Sequence, residues 1–280
     1  MSSSMSSMKM NRREFVRLMA GAAGAVAGGC ALPPVGGGMK LGCQLWGVKD
    51  IWQKRGDVMS VFPDLAAMGY EGVQSMGFWK CDADRLEAAL KASGLAVADM
   101  PVSMDMVKTD AAVAKTAAFC RRFGVDFVYI PWTKPTTLAG WHAFADQLDE
   151  AGKRLAPYGV RIGYHHHLHE LHDLVEGKYP IDELIAHPTF NFELDVGPVL
   201  EAGRDPAKVL RQLAGRVPGL HAKPYPGTAA GAADDRQDWP AIAAAARAAG
   251  TKWFVVECEQ RKDTFDDVCA SADYFRRLGI

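Results

Sequence analysis

The chain has 280 residues, of which 49% are hydrophobic and 23% are charged, and its formal net charge is −1. This composition is typical of a folded globular protein, and the scattered Lys and Arg residues form no basic face of the kind that binds nucleic acids. The six cysteines include no C-x-x-C pair, which argues against a disulfide framework and against a zinc ribbon.

The first 38 residues differ from the rest of the chain and resemble a twin-arginine export signal. Arg12 and Arg13 precede a weakly apolar, small-residue stretch, Leu18–Gly29, which is too short to span a membrane. Cys30 follows residues that loosely resemble a lipoprotein cleavage box, so lipidation at Cys30 and cleavage without lipidation both stay open. We expect an exported protein that is either periplasmic or held at the membrane by a lipid anchor.

From Met39 onward, apolar runs alternate with amphipathic stretches. The predicted strands are Lys40–Trp46, Gly72–Ser75, Ala96–Asp99, Phe127–Pro131, Val160–His165, Phe190–Asp195, Gly219–Lys223 and Trp253–Glu257. The predicted helices lie near 57–68, 83–93, 109–123, 138–156, 180–187, 205–214, 238–249 and 264–277.

Eight strand–helix units in about 240 residues match an α/β fold, the (β/α)₈ TIM barrel, which we place at residues 39–280. A doubly wound sheet would carry a glycine-rich phosphate loop after its first strand. This chain has Gln44-Leu-Trp-Gly-Val48 there instead.

The predicted fifth strand ends in a cluster of histidines. Five of the eight histidines lie between His165 and His172, in Tyr164-His-His-His-Leu-His-Glu-Leu-His172. Active sites of TIM barrels lie at the C-terminal ends of the strands, so this run lies where a site is expected.

The next three strand ends also carry side chains suited to metal binding. Alternation along strand 6 directs Glu193 and Asp195 toward the barrel axis. Strand 7 ends with His221 and Lys223 on one face, and strand 8 ends with Glu257, which is followed by Glu259.

A site with two glutamates, an aspartate and a histidine favours Mn²⁺ or Mg²⁺, with Co²⁺ or Zn²⁺ as alternatives. Such an ion can hold a carbonyl and the neighbouring hydroxyl of a sugar and stabilise an enediolate, while carboxylates take and return the proton. The result is isomerisation or epimerisation, and the same enolate could instead lose a β-substituent.

These motifs resemble the sugar phosphate isomerase/epimerase proteins of the xylose-isomerase-like barrel superfamily, from about Met39 to Gly279. The motifs are Gly69-Tyr-Glu-Gly-Val73, Tyr164-His-His-His-Leu-His-Glu170, Glu193-Leu-Asp-Val196, Leu220-His-Ala-Lys223, Asp238-Trp239 and Val256-Glu-Cys-Glu259. The chain departs from the family pattern at Gln74, Pro101 and Pro224, so its substrate is expected to differ from that of the best-studied members.

The resemblance implies a metal site and neighbouring catalytic groups. The implied metal ligands are Glu170, Asp195, His221 and Glu257. Glu170 and Glu257 are also candidate proton-transfer groups, with His165 and His167 beside them. Some relatives have a glutamate where this chain has His165, but relatives with the His-x-His-x-x-Glu form use the later glutamate, and Glu170 is therefore the predicted ligand. His166, His169 and His172 receive no role.

Four side chains are expected to contact the substrate. Lys223 and Glu259 would contact its oxygens, and Trp46 and Trp132, which follow strands 1 and 4, could stack on a sugar ring or serve only in packing. The expected partner is a small carbohydrate and not a nucleic acid, and a homo-oligomer stays open.

Our first hypothesis is therefore a metal-dependent sugar or keto-sugar isomerase or epimerase. The second is a lyase on the same site, either a dehydratase or a 3-keto-glycoside eliminase. A phosphodiesterase resembling endonuclease IV is disfavoured, because this chain lacks the strand 2 and strand 3 histidines of that chemistry. A non-catalytic sugar-binding barrel is the fourth hypothesis.

Overall fold

The computed structural model describes residues 38–75, 82–259 and 264–280. The strands are β1 (Lys40–Gln44), β2 (Gly72–Gln74), β3 (Ala96–Val97), β4 (Met100–Pro101), β5 (Phe127–Ile130), β6 (Arg161–His165), β7 (Asn191–Asp195), β8 (Gly219–Ala222) and β9 (Trp253–Val256). Residues 1–37, which contain the predicted arginine pair and Cys30, lie outside the described residues.

Helices follow most of the strands. The α-helices are α1 (Lys49–Arg55), α2 (Phe62–Ala67), α3 (Ala83–Ser93), α4 (Asp110–Phe123), α5 (Leu138–Leu155), α6 (His169–His172), α7 (Pro180–Ala186), α8 (Val196–Glu201), α9 (Pro206–Gln212), α10 (Trp239–Ala249) and α11 (Phe265–Arg277). Short 3-10 helices span Val58–Val61, Met104–Met106 and Ala156–Tyr158. None of the described helices is both long enough and apolar enough to cross a lipid bilayer.

The strands form one parallel sheet in the order β3-β2-β1-β9-β8-β7-β6-β5-β4. Its two end strands, β3 and β4, are consecutive in the chain and are separated by Ala98 and Asp99. They are two halves of the third barrel strand, of which β3 pairs with β2 and β4 pairs with β5. The predicted TIM barrel is confirmed, and its third strand is interrupted where one continuous strand was expected.

The interruption brings two consecutive side chains into the barrel. Ala98 packs on Trp253 and Val255 in a small interior cluster, and the next residue, Asp99, accepts a hydrogen bond from the interior side chain of Gln74. Regular alternation would have placed one of the two outside. An interruption of this kind redirects side chains, as β-bulges near active sites also do.

Outward-facing strand residues form the main core with the helices. Phe192 and Leu194 of β7 are fully buried there, as the alternation predicted. Helix α5 contributes Trp141, Phe144 and Leu148, at the three- and four-residue spacing of an amphipathic helix. The charged residues of β7 therefore face the barrel interior.

Four glycines leave space inside the barrel. Gly42, Gly72, Gly163 and Gly219 each lie two residues before a polar interior residue, namely Gln44, Gln74, His165 and His221. A Cβ at Gly72 would lie 2.6 Å from the Trp253 ring, and one at Gly219 would lie 2.5 Å from the Asp99 carboxyl. Because these four positions carry no side chain, the apolar interior cluster of Ala98, Trp253 and Val255 can pack against the polar interior residues.

The structure adds helices that the sequence reasoning missed. Helices α1, α6 and α8 have seven, four and six residues. Elements this short complete no more than two turns and show little of the apolar periodicity by which helices are predicted. Two of them, α6 and α8, directly follow the strand ends that carry candidate site residues.

We expect Gly163→Ala to destabilise the protein by about 1–3 kcal/mol, the usual cost of overpacking. Its Cβ would lie 2.5 Å from the Asn191 carbonyl oxygen and 3.0 Å from the Phe127 ring. The control is Gly152→Ala in α5, whose Cβ would meet only Ile162, at 3.5 Å, and which should gain about 0.5–1 kcal/mol from helix propensity. Urea unfolding of both variants tests this, and equal stability would contradict it.

Candidate active site

Four neighbouring strand ends bring their side chains together. His165 ends β6, Asp195 ends β7, His221 lies in β8, and Glu257 follows β9. Asp195 and His221 are directly paired across β7 and β8. All four side chains are buried, with exposed fractions of 8% or less, although they lie at the floor of an open cleft.

Three of these residues form a cluster that could hold a metal ion. The candidate ligand atoms of His165, Asp195 and His221 lie within 4.8 Å of one another. Glu257 adjoins this cluster, because its Oε2 lies 3.1 Å from Nδ1 of His221. Two imidazoles and two carboxylates form a mixed nitrogen and oxygen donor set that suits a divalent cation.

Charge within the cluster perturbs the pKa values of its members. Burial alone would lower the pKa of His221, but Glu193 and Glu257 raise it well above the usual value. Burial raises the pKa of Asp195 to about 6, against the opposing effect of Lys223. Burial would also raise the pKa of Glu257, but His221 and Lys223 lower it below its usual range. In the metal-free protein, the positive charges of His221 and Lys223 thus favour the ionised forms of Glu257 and Asp195 against the effect of burial.

Lys223 supplies one of these positive charges at the upper edge of the cluster. Its Nζ lies 3.7 Å from Oε2 of Glu257 and 3.9 Å from Oδ2 of Asp195, and it forms an ion pair with Glu259. Burial would lower the pKa of Lys223, but these carboxylates raise it. The stem packs on Gly197, where a Cβ would lie 2.9 Å from Cγ of Lys223. Lys223 and Glu259, the two predicted contacts to substrate oxygens, both line the cleft.

Glu170 lies apart from this cluster. Its carboxylate is fully buried, accepts hydrogen bonds from the Tyr164 hydroxyl and from the His167 backbone N–H (2.9 Å), and lies 3.2 Å from Nε2 of His169. Burial raises its pKa. The Tyr164 ring belongs to the outward-facing core, so α6 turns Glu170 away from the barrel axis. The structure therefore brings together three of the four predicted ligands and places His165, not Glu170, beside them.

The other histidines of the run have distinct surroundings. His166 is fully buried, accepts a hydrogen bond from the Asp195 backbone N–H at Nε2 (3.2 Å), and contacts the His167 carbonyl at Nδ1 (3.2 Å). Burial lowers its pKa to about 3, so the ring is neutral and braces the β7 strand end. His169 contacts the Thr133 carbonyl at 3.0 Å. Sequence reasoning assigned no role to either ring.

The cleft above the cluster has a volume of about 530 Å³ and is also lined by Trp46 and His167. Burial, together with His165, lowers the pKa of His167 to about 3, so its imidazole is neutral at pH 7. Trp46 is 41% exposed and carries the Lys49 ammonium 3.5 Å from its ring centroid. Trp132 packs edge-on against His167, at 4.7 Å between ring centroids. Trp46 thus borders the cleft, whereas Trp132 supports the His167 ring.

A polar layer beneath the cluster was not predicted as part of the site. Gln74 donates hydrogen bonds to Asp99 (2.6 Å) and to Glu193, and its Oε1 accepts a bond from Gln44 (2.5 Å) and lies 2.7 Å from Nε2 of His221. Burial and neighbouring Glu193 raise the pKa of Asp99. Strand alternation in the sequence predicts that Glu193 faces inward. No comparable sequence pattern identifies Gln44, Gln74 or Asp99 as site residues.

Glu170→Gln should retain divalent-cation binding and lose stability. A glutamine can offer only one carbonyl oxygen to the two donors that Glu170 satisfies, and an unsatisfied buried donor costs about 1–3 kcal/mol. Asp195→Asn should have the opposite profile, with little binding of Mn²⁺ and near-normal folding. Isothermal titration with Mn²⁺ and urea unfolding measure the two effects. Loss of Mn²⁺ binding in Glu170→Gln at intact folding would restore Glu170 as the ligand.

Comparisons with solved structures find proteins of the same fold. A sugar phosphate isomerase/epimerase from Parabacteroides distasonis superposes with a TM-score of 0.74 at 19% identity, over 88% of this chain and 96% of that chain. A D-allulose 3-epimerase from Methylomonas sp. gives 0.62 at 13% identity, over 86% and 98%. A Mycobacterium smegmatis protein of the same fold, in complex with magnesium, gives 0.60 at 13% identity, over 89% and 98%.

These likenesses establish the shared fold. No curated protein sequence matches the chain. A family model does match residues 62–278, which is more than half of the chain. The chain therefore belongs to the xylose isomerase-like TIM barrel family.

Proposed function

We propose that this protein is a divalent-metal-dependent isomerase or epimerase that acts on a sugar or keto-sugar through an enediolate. The observation that carries the proposal is the cluster of His165, Asp195 and His221, with Glu257 beside it, at the floor of a cleft at the C-terminal strand ends. Isomerases and epimerases among the structural neighbours support this class of reaction.

A divalent cation at this cluster would supply Lewis-acid polarisation of a substrate carbonyl and its neighbouring hydroxyl. The surrounding side chains orient the substrate and transfer protons. Lys223 presents an ammonium group at the edge of the cluster, where it can donate hydrogen bonds to substrate oxygens. The neutral imidazole of His167 and the carboxylate of Glu257 both face the cleft and can exchange a proton with a substrate carbon. Trp46 offers an aromatic face for a sugar ring.

We propose Mn²⁺ or Mg²⁺ as the ion, with Co²⁺ or Zn²⁺ as alternatives. Carboxylate donors favour Mn²⁺ and Mg²⁺, and a second imidazole in place of Glu170 brings the donor set closer to the preferences of Co²⁺ and Zn²⁺. The magnesium complex of the Mycobacterium smegmatis neighbour supports a divalent cation in this fold.

Addition of Mn²⁺ should stabilise the wild-type protein. A ligand at 100 times its Kd contributes about 2.7 kcal/mol to the free energy of unfolding, so the thermal midpoint should rise with Mn²⁺ and fall back on chelation. The effect should be small in Asp195→Asn and unchanged in Glu201→Gln, because Glu201 lines the cleft outside the cluster. Wild-type protein that holds no divalent ion, and whose stability ignores added Mn²⁺, would refute the proposed function.

The second candidate is a lyase that uses the same site. A probable 3-DHS dehydratase from Bacillus anthracis shares the fold, with a TM-score of 0.58 at 17% identity. Proton removal next to a carbonyl is common to both reactions, and loss of a β-substituent would follow in the lyase. Product analysis distinguishes them, because a lyase releases water or an aglycone and an isomerase or epimerase only rearranges its substrate.

Enolisation can be detected without knowledge of the final product. We expect a sugar or keto-sugar substrate, incubated with the Mn²⁺-loaded enzyme in D₂O, to incorporate deuterium next to its carbonyl. Glu257→Gln should slow this exchange by a factor of 100 or more, since general acid–base catalysis contributes about 10²–10⁴-fold. Glu201→Gln should exchange at the wild-type rate. Sugar binding with no exchange and no turnover would favour a non-catalytic binding protein.

The sequence of the first 38 residues supports a further proposal about location. We propose that the twin-arginine pathway exports the folded protein to the periplasm, with Cys30 as the site of an optional lipid anchor.

A further inference from the structure

Glu193 lies fully buried directly beneath the candidate metal cluster. We propose that Glu193 is a positioning residue, in which one carboxylate oxygen holds both imidazoles of the cluster, His165 and His221, from the side away from the cation. This inference rests on the proposed metal site and concerns how the chain prepares that site.

The distances place a single oxygen between two rings. Oε2 of Glu193 lies 3.4 Å from Nδ1 of His165 and 3.3 Å from Nε2 of His221. Among the described residues, Oε2 of Glu193 and Nδ1 of His165 are both buried and have no hydrogen-bond partner. Because an unpaired buried donor or acceptor is costly, the 3.4 Å contact between them is the one that can satisfy both atoms.

The carboxylate is held in place from its other oxygen. Oε1 of Glu193 accepts a hydrogen bond from the side-chain amide of Gln74, which also binds Asp99. Glu193 is paired with His165 across β6 and β7 and with Gly219 across β7 and β8. Because Gly219 has no side chain, Glu193 and Asp99 can both occupy the space beneath His221.

This arrangement decides which ring nitrogens face the cation. His165 Nδ1–H faces Glu193, while His221 Nε2–H faces the Gln74 side-chain oxygen at 2.7 Å, with Glu193 at 3.3 Å as a second acceptor. When the two rings are neutral, as metal ligands must be, His165 Nε2 and His221 Nδ1 then carry the free lone pairs. Nδ1 of His221 lies 3.1 Å from Oε2 of Glu257, within the cluster. A carboxylate behind a ligating imidazole fixes its tautomer and raises its basicity. Here one carboxylate adjoins both ligands, directly at His165 and together with Gln74 at His221, so its loss should affect both.

The test is the affinity of the full-length protein for Mn²⁺ alone, measured by electron paramagnetic resonance. Glu193→Gln keeps the shape of the side chain but removes the charge, and we expect Mn²⁺ to bind about 10–100-fold more weakly. Glu201→Gln is the control, because it removes the same charge at a position that lines the cleft outside the cluster. It should bind Mn²⁺ within twofold of wild type.

Wild-type affinity in Glu193→Gln would overturn the inference and leave the proposed function intact. Wild-type protein that binds no Mn²⁺ would instead refute the proposed function, and with it a metal-positioning role for Glu193.

A second measurement is made on the wild-type protein and therefore does not depend on the folding of Glu193→Gln. Long-range ¹H–¹⁵N correlation spectra of the metal-free protein report which ring nitrogen carries the proton, with the His165 signals assigned by their loss in His165→Asn. We expect the His165 proton on Nδ1, facing Glu193. A proton on Nε2 alone would contradict the proposed hydrogen bond and overturn the inference.

Discussion

A carboxylate enclosed in the barrel interior constrains the residues around it. Glu193 is fully buried, and a buried charge is tolerated only when it is paired and hydrogen-bonded. Its partners are the imidazoles of His165 and His221 and the amide of Gln74, which lie on β6, β8 and β2. A shift in the register of any of these strands would leave a buried charge or polar group without its partner. The hydrogen bonds of the polar layer therefore favour the observed strand register, and that register in turn positions the polar layer.

Much of the fold could be predicted from the sequence, because strand alternation and glycine-terminated helices are local patterns. The same alternation correctly directed Glu193 and Asp195 inward, and barrel geometry indicated that four strand ends would meet. The choice between Glu170 and His165 depended on how α6, a four-residue helix, leaves β6. Residue spacing does not encode that direction.

The polar layer beneath the cluster could not be predicted from the sequence, for different physical reasons. Gln44 and Gln74 are neutral amides, which occur in many structural roles, and their strands place both inside the barrel. Asp99 faces inward because the third barrel strand is interrupted between β3 and β4. Such an interruption trades ladder hydrogen bonds for side-chain direction, and only the packing of neighbouring strands determines where it occurs.

The interrupted third strand also gives the barrel a weak point. Its first half, β3, pairs with β2 and its second half, β4, pairs with β5, so the hydrogen-bond ladder changes partner after Ala98, whose N–H still bonds the Val73 carbonyl. Local opening begins where few backbone hydrogen bonds must break together. The amides on either side of this seam should therefore exchange with solvent before those of the β6–β7–β8 wall, and the cleft floor would first admit water from the side of Asp99.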